Sequence, residues 1–253
     1  MKISIVTVCF NSEATIEDTI LSVLSQTYEN IEYIVVDGGS KDATLNIIEK
    51  HRDKITKVIS EPDDGIYDAM NKGISLCTGD VIGILNSDDV FASDTVVDSI
   101  AKQFINDSSI SILYGDICIV DRHDLSKTLR RYSLPRLYNW KLRIGLMPPH
   151  PSTFVRTGLY EDFGVYKTDY KIAADFEFFV RTVLRHKKQP SYMPETITLM
   201  RHGGVSSAGF RSVMISTDEM VRALKDNGYF SNRFICSLRL PIKLFSKLIG
   251  TNL

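Results

Sequence analysis

Between Ile3 and Leu85, four apolar runs each end in a cluster of turn-forming polar residues: Ile3–Phe10 at Asn11-Ser12-Glu13, Ile31–Val36 at Asp37-Gly38-Gly39-Ser40, Lys57–Ser60 at Glu61–Gly65, and Val81–Leu85 at Asn86-Ser87-Asp88-Asp89. The first, ISIVTVCF, is β-branched and nearly continuous, as a strand buried on both faces should be, and Lys57–Ser60 is a short third strand. Between the runs the period changes. Ile16, Ile20, Val23 and Leu24 recur at helical spacing after a cap at Asn11 or Ser12, Leu45, Ile47 and Ile48 do so after the glycine turn, and Ile66, Met70, Gly73, Ile74 and Cys77 do so again. Strand–helix repeats of this kind require right-handed crossovers and predict an α/β fold: a Rossmann-like, mostly parallel sheet with helices on both faces. Ligands of such sheets sit at the carboxyl ends of the strands, where the clusters at 37–42, 61–65 and 86–89 lie.

From about residue 110 the pattern is mixed. Strands are expected at 111–120, 127–132, 153–156 and 197–200, and a helix at 176–185. No linker, repeat or low-complexity segment interrupts the 253 residues, a length that one α/β core can accommodate. The expected organisation is one domain over 1–210, with a ligand-binding half to about 110 and a variable half from 111 to 210. A C-terminal helical region with a basic amphipathic tail follows over 211–253.

Charge excludes some classes. Thirty Lys+Arg against 31 Asp+Glu leave a net charge of -1, which argues against holding nucleic acid through global positive charge. Cys9, Cys77, Cys118 and Cys236 show neither disulfide-framework nor zinc spacing. The N-terminal apolar run is too short for a signal peptide, and no stretch approaches the roughly 18 apolar residues of a membrane span. A cytoplasmic enzyme is the expectation.

Several motifs are absent: GxGxxG, HExxH and GxSxG. Residues 204–209 have the glycine spacing of a P-loop, but Phe210 stands where the phosphate-binding Lys is required. What remains is a set of strand-end carboxylates. Asp37 can accept hydrogen bonds from a nucleobase or ribose, or serve only as turn chemistry. Asp88 and Asp89 offer hard oxygen ligands suited to Mg²⁺ or Mn²⁺, or cap the next helix.

The segments TVCFNSEATIEDTILSVLSQTY, IEYIVVDGGSKDAT, SEPDDGIYDAMNKGISLCTGDVIGILNSDD and AADFEFFVR follow in this order. Together they closely resemble the family 2 glycosyltransferases, inverting enzymes of GT-A fold that use nucleotide sugars. The resemblance is strong over 1–90, weaker to about 210 and absent from the tail. It implies that Thr7 and Asn11 border the nucleotide and that Asp37 contacts the base. It also implies that Asp63, Asp64, Gly65, Asn71 and Gly73 line the nucleotide-sugar pocket, and that Asn86-Ser87-Asp88 stands at the Asp-x-Asp metal motif. Asn86 departs from that motif, which leaves Asp88 as the metal ligand, with Mn²⁺ or Mg²⁺ as cofactor. Asp175 matches the catalytic base, with Glu177 as the fallback. His150 and His202, in loops, can approach the diphosphate or metal, and His202 is the candidate second metal ligand.

The implied reaction is transfer from a nucleotide-diphosphate sugar, UDP-sugar favoured, to a hydroxyl of a saccharide or lipid-linked saccharide in polysaccharide biosynthesis. Two other readings are a degenerate nucleotide-sugar-binding subunit, suggested by Asn86, and a sugar nucleotidyltransferase. The latter needs a Gly-rich basic loop after the first strand, which Asn11–Thr15 is not. The tail from Phe230 carries Arg233, Arg239, Lys243 and Lys247 and no acid. Phe234, Ile235, Leu238, Ile242, Phe245 and Ile249 can share a helical face, with Pro241 splitting the helix. The tail either docks on the body or lies on an anionic membrane surface at the inner face of the plasma membrane.

Overall fold

The computed structural model describes residues 1–203 and 209–249, with side chains to 245. The P-loop-like spacing at 204–209 falls mostly outside these residues. The first strand, β1 (Ile3–Cys9), is buried at every position. Its alternation sends Ile3, Ile5 and Cys9 into one core with Ile16, Ile20 and Val23 of α1 (Ile16–Leu24), Ile48 of α2 (Thr44–Lys50) and Ile100 of α4 (Val96–Asn106). Val6 and Val8 enter a second core with Tyr67, Met70 and Ile74 of α3 (Ile66–Leu76). Helices therefore cover both faces, as a strand without a polar side requires. Gly73 lets α3 approach closely, because a Cβ there would overlap Val6 Cγ1.

Among the described residues the sheet has nine strands, in the order β3 (Lys57–Ser60), β2 (Ile31–Asp37), β1, β4 (Val81–Ile84), β8 (Thr153–Arg156), β6 (Ile112–Val120), β9 (Ser191–Arg201), β5 (Asp89–Phe91), with β7 (Thr128–Tyr132) paired to β6. β2, β3 and β4 join β1 in parallel. Register places Cys9 beside Asp37 and Asp37 beside Ser60, so the carboxyl ends of these strands form one edge. β8 pairs antiparallel with both β4 and β6. β6 runs parallel to β9 and antiparallel to β7. The parallel arrangement thus belongs to the first half and the mixed one to the second.

Three elements differ from the sequence reading. β9 is much longer than 197–200, because Ser191–Thr196 pairs despite Pro194. Asp89 is not part of a solvated cap: it opens the strand β5 (Asp89–Phe91), which pairs antiparallel with β9. The tail breaks at Leu238 into α9 (Arg233–Ser237) and α10 (Arg239–Ile249). Pro241 falls in the first turn of α10, where its missing N–H costs no helical bond. Between α4 and the tail lie α5 (Asn139–Arg143), α6 (Thr157–Phe163), α7 (Ala174–Phe179, continued by a π turn to Arg185) and α8 (Phe210–Asp226). Ala223, Leu224 and Cys236 join the second core, which ties the C-terminal helices to the body.

Candidate active site

The glycine turn after β2 is organised around Asp37. Its carboxylate is fully buried and accepts from the backbone N–H of Gly39 (3.1 Å) and Ser40 (3.1 Å) and from the hydroxyls of Ser40 (2.5 Å) and Ser60 (2.7 Å). Through these four bonds Asp37 shapes the turn at the carboxyl end of β2. Ser40 Oγ in turn accepts the Asn11 N–H (2.8 Å), and Asn11 Oδ1 accepts the Lys41 N–H (2.9 Å). Asn11 has positive φ (48°), a conformation its short polar side chain tolerates. Thr7 lies deeper, wholly buried, accepting from the Tyr33 hydroxyl (3.1 Å).

The carboxylate left at this turn is Asp63. It occupies the space that a Cβ on Gly38 would need. Its Oδ1 accepts the Gly65 N–H (2.9 Å), Asp64 is exposed, and Gly65 opens α3 at φ 115°. Asn71 Nδ2 donates to the Tyr166 carbonyl (2.7 Å) and its Oδ1 accepts the Tyr166 N–H (3.0 Å), a clamp between α3 and the Tyr166 backbone.

After β4, the Ser87 hydroxyl meets that of Ser12 (2.8 Å), joining this turn to the end of β1. Asn86 Nδ2 donates to Asp89 Oδ2 (3.2 Å), while Asn86 Oδ1 and Asp89 Oδ1 are buried without a partner. Burial raises the Asp88 carboxyl above its ordinary range. It raises Asp89 much further, helped by the charge of Asp88. Two adjacent acids and two orphaned oxygens suit a hard divalent cation. Arg201 holds the turn from β9, donating to the Asp88 carbonyl (2.9 Å) and to Asp18 (2.5 Å). His202 is the next residue, exposed, with its N–H on the Val120 carbonyl (3.0 Å). No three His, Cys, Asp or Glu side chains converge as a metal cage among the described residues.

Asp175 stands in the first turn of α7, half-buried, accepting the Phe176 N–H (2.8 Å) and lying 3.4 Å from the Tyr67 hydroxyl. Tyr67 is in the first turn of α3 and donates to the Ile172 carbonyl (2.6 Å), which fixes Asp175 to the strand-end edge. Burial raises the Asp175 carboxyl, and the charge of His150 opposes the shift; burial lowers His150, and Asp175 opposes that. The His150 ring packs edge-on to Tyr166 (5.6 Å), and its Nε2 is closed to solvent without a partner. Glu177, by contrast, is fully buried between Arg181 (3.0 Å), Lys167 (3.2 Å) and Asn227 (3.3 Å). Its carboxylate is committed to this buried ion-pair cluster.

Sequence reasoning missed Glu219 of α8. Its carboxylate accepts the N–H groups of Lys171 (2.7 Å), Ile172 (2.9 Å) and Ala173 (2.9 Å), just ahead of α7. A cleft of about 550 Å³ lined by Asp80, Arg156 and Lys188 opens at the opposite, amino end of β4 and is not part of this site.

A parallel half-sheet carries acidic turns at its carboxyl edge, and a carboxylate is tied to that edge from α7; solved structures of known proteins share this fold. The structure of Staphylococcus aureus TarS residues 1–349 in complex with UDP-GlcNAc is similar at TM-score 0.69 and 20% identity, covering 95% of this chain and 72% of that one. A longer TarS chain matches at TM-score 0.65 and 21% identity over 87% of this chain and 40% of its own length. The mannosyltransferase PcManGT from Pyrobaculum calidifontis, in complex with GDP-Man and Mn²⁺, matches at TM-score 0.66 and 16% identity, covering 92% and 66%. Residues 4–163 match glycosyl transferase family 2, and the chain belongs to that family. An uncharacterized glycosyltransferase of Mycobacterium tuberculosis is 33% identical over 72% of this chain and 69% of its own. A PGL/p-HBAD biosynthesis glycosyltransferase of Mycobacterium bovis is 30% identical over 81% and 78%.

Proposed function

We propose that the protein transfers a sugar from a UDP-sugar to a hydroxyl of a saccharide or lipid-linked saccharide, by single displacement with inversion, in polysaccharide biosynthesis. The observation that carries this reading is Asp175: a half-buried carboxylate with a raised pKa, held at the strand-end edge through Tyr67. A carboxylate in water is a weak base, and desolvation strengthens it toward the acceptor proton. Asp63 and the turn around Asn11 border the nucleotide, and positioning both substrates supplies further acceleration.

A divalent ion, Mn²⁺ or Mg²⁺, fits the turn after β4, where Asp88, Asp89 and the open Oδ1 of Asn86 supply oxygen donors. His202 is the outer candidate. When bound, the ion neutralises charge on the departing diphosphate. Asn86 keeps an acceptor oxygen at the position where the motif has Asp, so the substitution is compatible with turnover. The protein works at the inner face of the plasma membrane, with residues 231–253 as the surface contact.

The test is Asp175→Asn. Transfer is expected to fall by several orders of magnitude while UDP-sugar still raises Tm. Retained turnover removes Asp175 from the base role. Absence of a Tm shift with any nucleotide sugar, with or without Mn²⁺, removes the donor reading; a donor at 100 times its Kd adds about 2.7 kcal/mol.

A further inference from the structure

Charge is segregated along this nearly neutral chain. Residues 125–160 and 227–253 together hold eleven of the 30 Lys+Arg and none of the 31 Asp+Glu. These two acid-free segments, far apart in sequence, pack on each other. Arg130 donates to the Lys243 carbonyl (3.5 Å), the Lys243 ammonium lies 5.7 Å from the centre of the Tyr132 ring, and Arg143 sits 5.6 Å from that of Tyr229. A side chain at Gly145 would crowd Arg239, so glycine admits α10 at this contact.

The orientation of α10 is the reverse of what water favours. Arg239 is 3% exposed and bonds Thr217 (2.8 Å) and the Cys236 carbonyl (2.5 Å), while Lys243 turns onto Tyr132, where burial and the charges of Arg239 and Arg130 lower its pKa to about 8. Leu240, Pro241, Leu244 and Phe245, which share the other face by helical spacing, are exposed, Phe245 at 64%. Phe234 on α9 is 75% exposed, and Trp140 on α5 is 53% exposed. A soluble helix places its apolar side chains inward and its cations in water. Here the cations face the body and the apolar residues point out.

We propose that α5, α9 and α10 form one docking face for an anionic lipid bilayer, built from both acid-free segments rather than from the tail alone. This deepens the membrane-contact reading above and rests on it. Aromatic and aliphatic tips enter the headgroup boundary, and the exposed Arg136, just before α5, and Arg143, on α5, supply attraction to anionic lipid. Arg233 at the start of α9 is already paired with Asp218 (2.5 Å), and a two-fold interface would offer the exposed Arg136 and Arg143 only a second copy of the same face. Nucleic acid would neutralise the cations but leave the aliphatic tips in water. The face adjoins the catalytic side: the Tyr132 hydroxyl donates to the Met147 carbonyl (2.8 Å), at the root of the loop carrying His150. A docked enzyme would hold Asp175 near the bilayer, where a lipid-linked acceptor is presented.

The test is co-sedimentation of the full chain with vesicles, either neutral phosphatidylcholine or containing roughly a third anionic phosphatidylglycerol. Two variants alter exposed residues only: Phe234→Ser/Leu244→Ser/Phe245→Ser, and Arg136→Glu/Arg143→Glu. Wild type should bind anionic vesicles and not neutral ones, and each variant should weaken binding at least about tenfold with Tm and UDP-sugar binding unchanged. Full binding by the Arg136/Arg143 variant, with loss in the other, overturns the two-segment face and leaves the tail as the contact. Equal binding of wild type to neutral vesicles overturns the anionic requirement. No vesicle binding, with a dimer in sedimentation velocity that the apolar variant abolishes, assigns the face to a second copy and overturns the proposal. UDP-sugar binding is read independently, so none of these outcomes is confused with failure of the donor reading.

Discussion

Glu219 Oε2 lies 2.9 Å from the backbone nitrogen of Ala173, across 46 residues of chain. Together with its bonds to Lys171 and Ile172, this carboxylate satisfies three successive N–H groups of the turn that leads into α7, the last of them at the N-cap, and negative charge there also suits the helix dipole. Asp175 follows two residues later, so α8 sets where the proposed base stands.

Glu219→Ala is therefore expected to lose about 1–3 kcal/mol of stability, the cost of leaving donors unpaired. Transfer should fall further than UDP-sugar affinity does, because the displaced group is Asp175 and not the donor turn. Urea denaturation and a kcat against KM comparison check both halves. A variant with normal kcat would show that Asp175 is held without Glu219.

Asp175 and Glu177 are two residues apart and should respond oppositely. Glu177→Ala strands Arg181 and Lys167 beside a buried site, and breaking a buried pair costs about 3–5 kcal/mol. Asp175→Asn removes a carboxylate whose ionisation burial opposes, so stability near neutral pH should stay level or rise. Thermal denaturation of the two variants gives the comparison, and equal destabilisation would contradict it.

The pH dependence of transfer follows from Asp175 and the neighbouring His150. A base must be ionised, and burial raises the Asp175 pKa, so the acid limb of kcat should lie above the ordinary Asp value of about 3.9. Nearby His150 lowers that pKa when charged. His150→Gln should then move the limb to higher pH, with activity lost earlier on acidification. An unmoved or lower limb in that variant would break the link between the two residues.

The sequence announced β1 and β4 because burial on both faces writes an unbroken apolar run, while β3, at the sheet edge with no buried residue, was marked only by its place in the strand–helix alternation. β9 was only partly visible, since Ser191–Thr196 alternates polar residues and includes Pro194, yet it pairs with β6 through an irregular register. Resemblance pointed to Asp37 and Asn71 but could not supply their work. Asp37 organises a turn and Asn71 clamps Tyr166, and both tasks depend on partners that meet only in the fold. Glu219 left no local signal, because an acid in the middle of a long helix reads as solvated surface. α10 was legible as amphipathic, while the direction of its apolar face was not, because the surface that receives Arg239 and Lys243 is made by a distant segment.

Away from the site, Glu32 should contribute to acid stability. Burial alone would raise its carboxyl, but bonds from Ser4 (2.6 Å), the Thr78 backbone (2.7 Å) and hydroxyl (2.7 Å) and Lys2 (3.1 Å) hold it at about 2. A folded pKa below the unfolded one stabilises above the unfolded value and is lost as pH falls through the folded one. The contribution, on the order of 1–3 kcal/mol, should disappear between the ordinary Glu range and pH 2. Glu32→Gln should lower stability at pH 7 and flatten its dependence in that window, measured by urea midpoints.

Cation binding at the turn after β4 should carry its own pH signature. Burial raises both Asp88 and Asp89, and they resist sharing two negative charges. A divalent ion favours the ionised forms, so its binding releases protons and strengthens as pH rises through the raised pKa values. Isothermal titration of Mn²⁺ in two buffers of different ionisation enthalpy should give a proton release that shrinks as pH rises. Asp88→Ala should abolish the heat, and Asn86→Asp should tighten the site by adding a carboxylate beside the oxygen that lacks a partner. Weaker Mn²⁺ binding in Asn86→Asp would mean that a third acid overloads the turn, and that the amide Nδ2 bond to Asp89 is what keeps the site in shape.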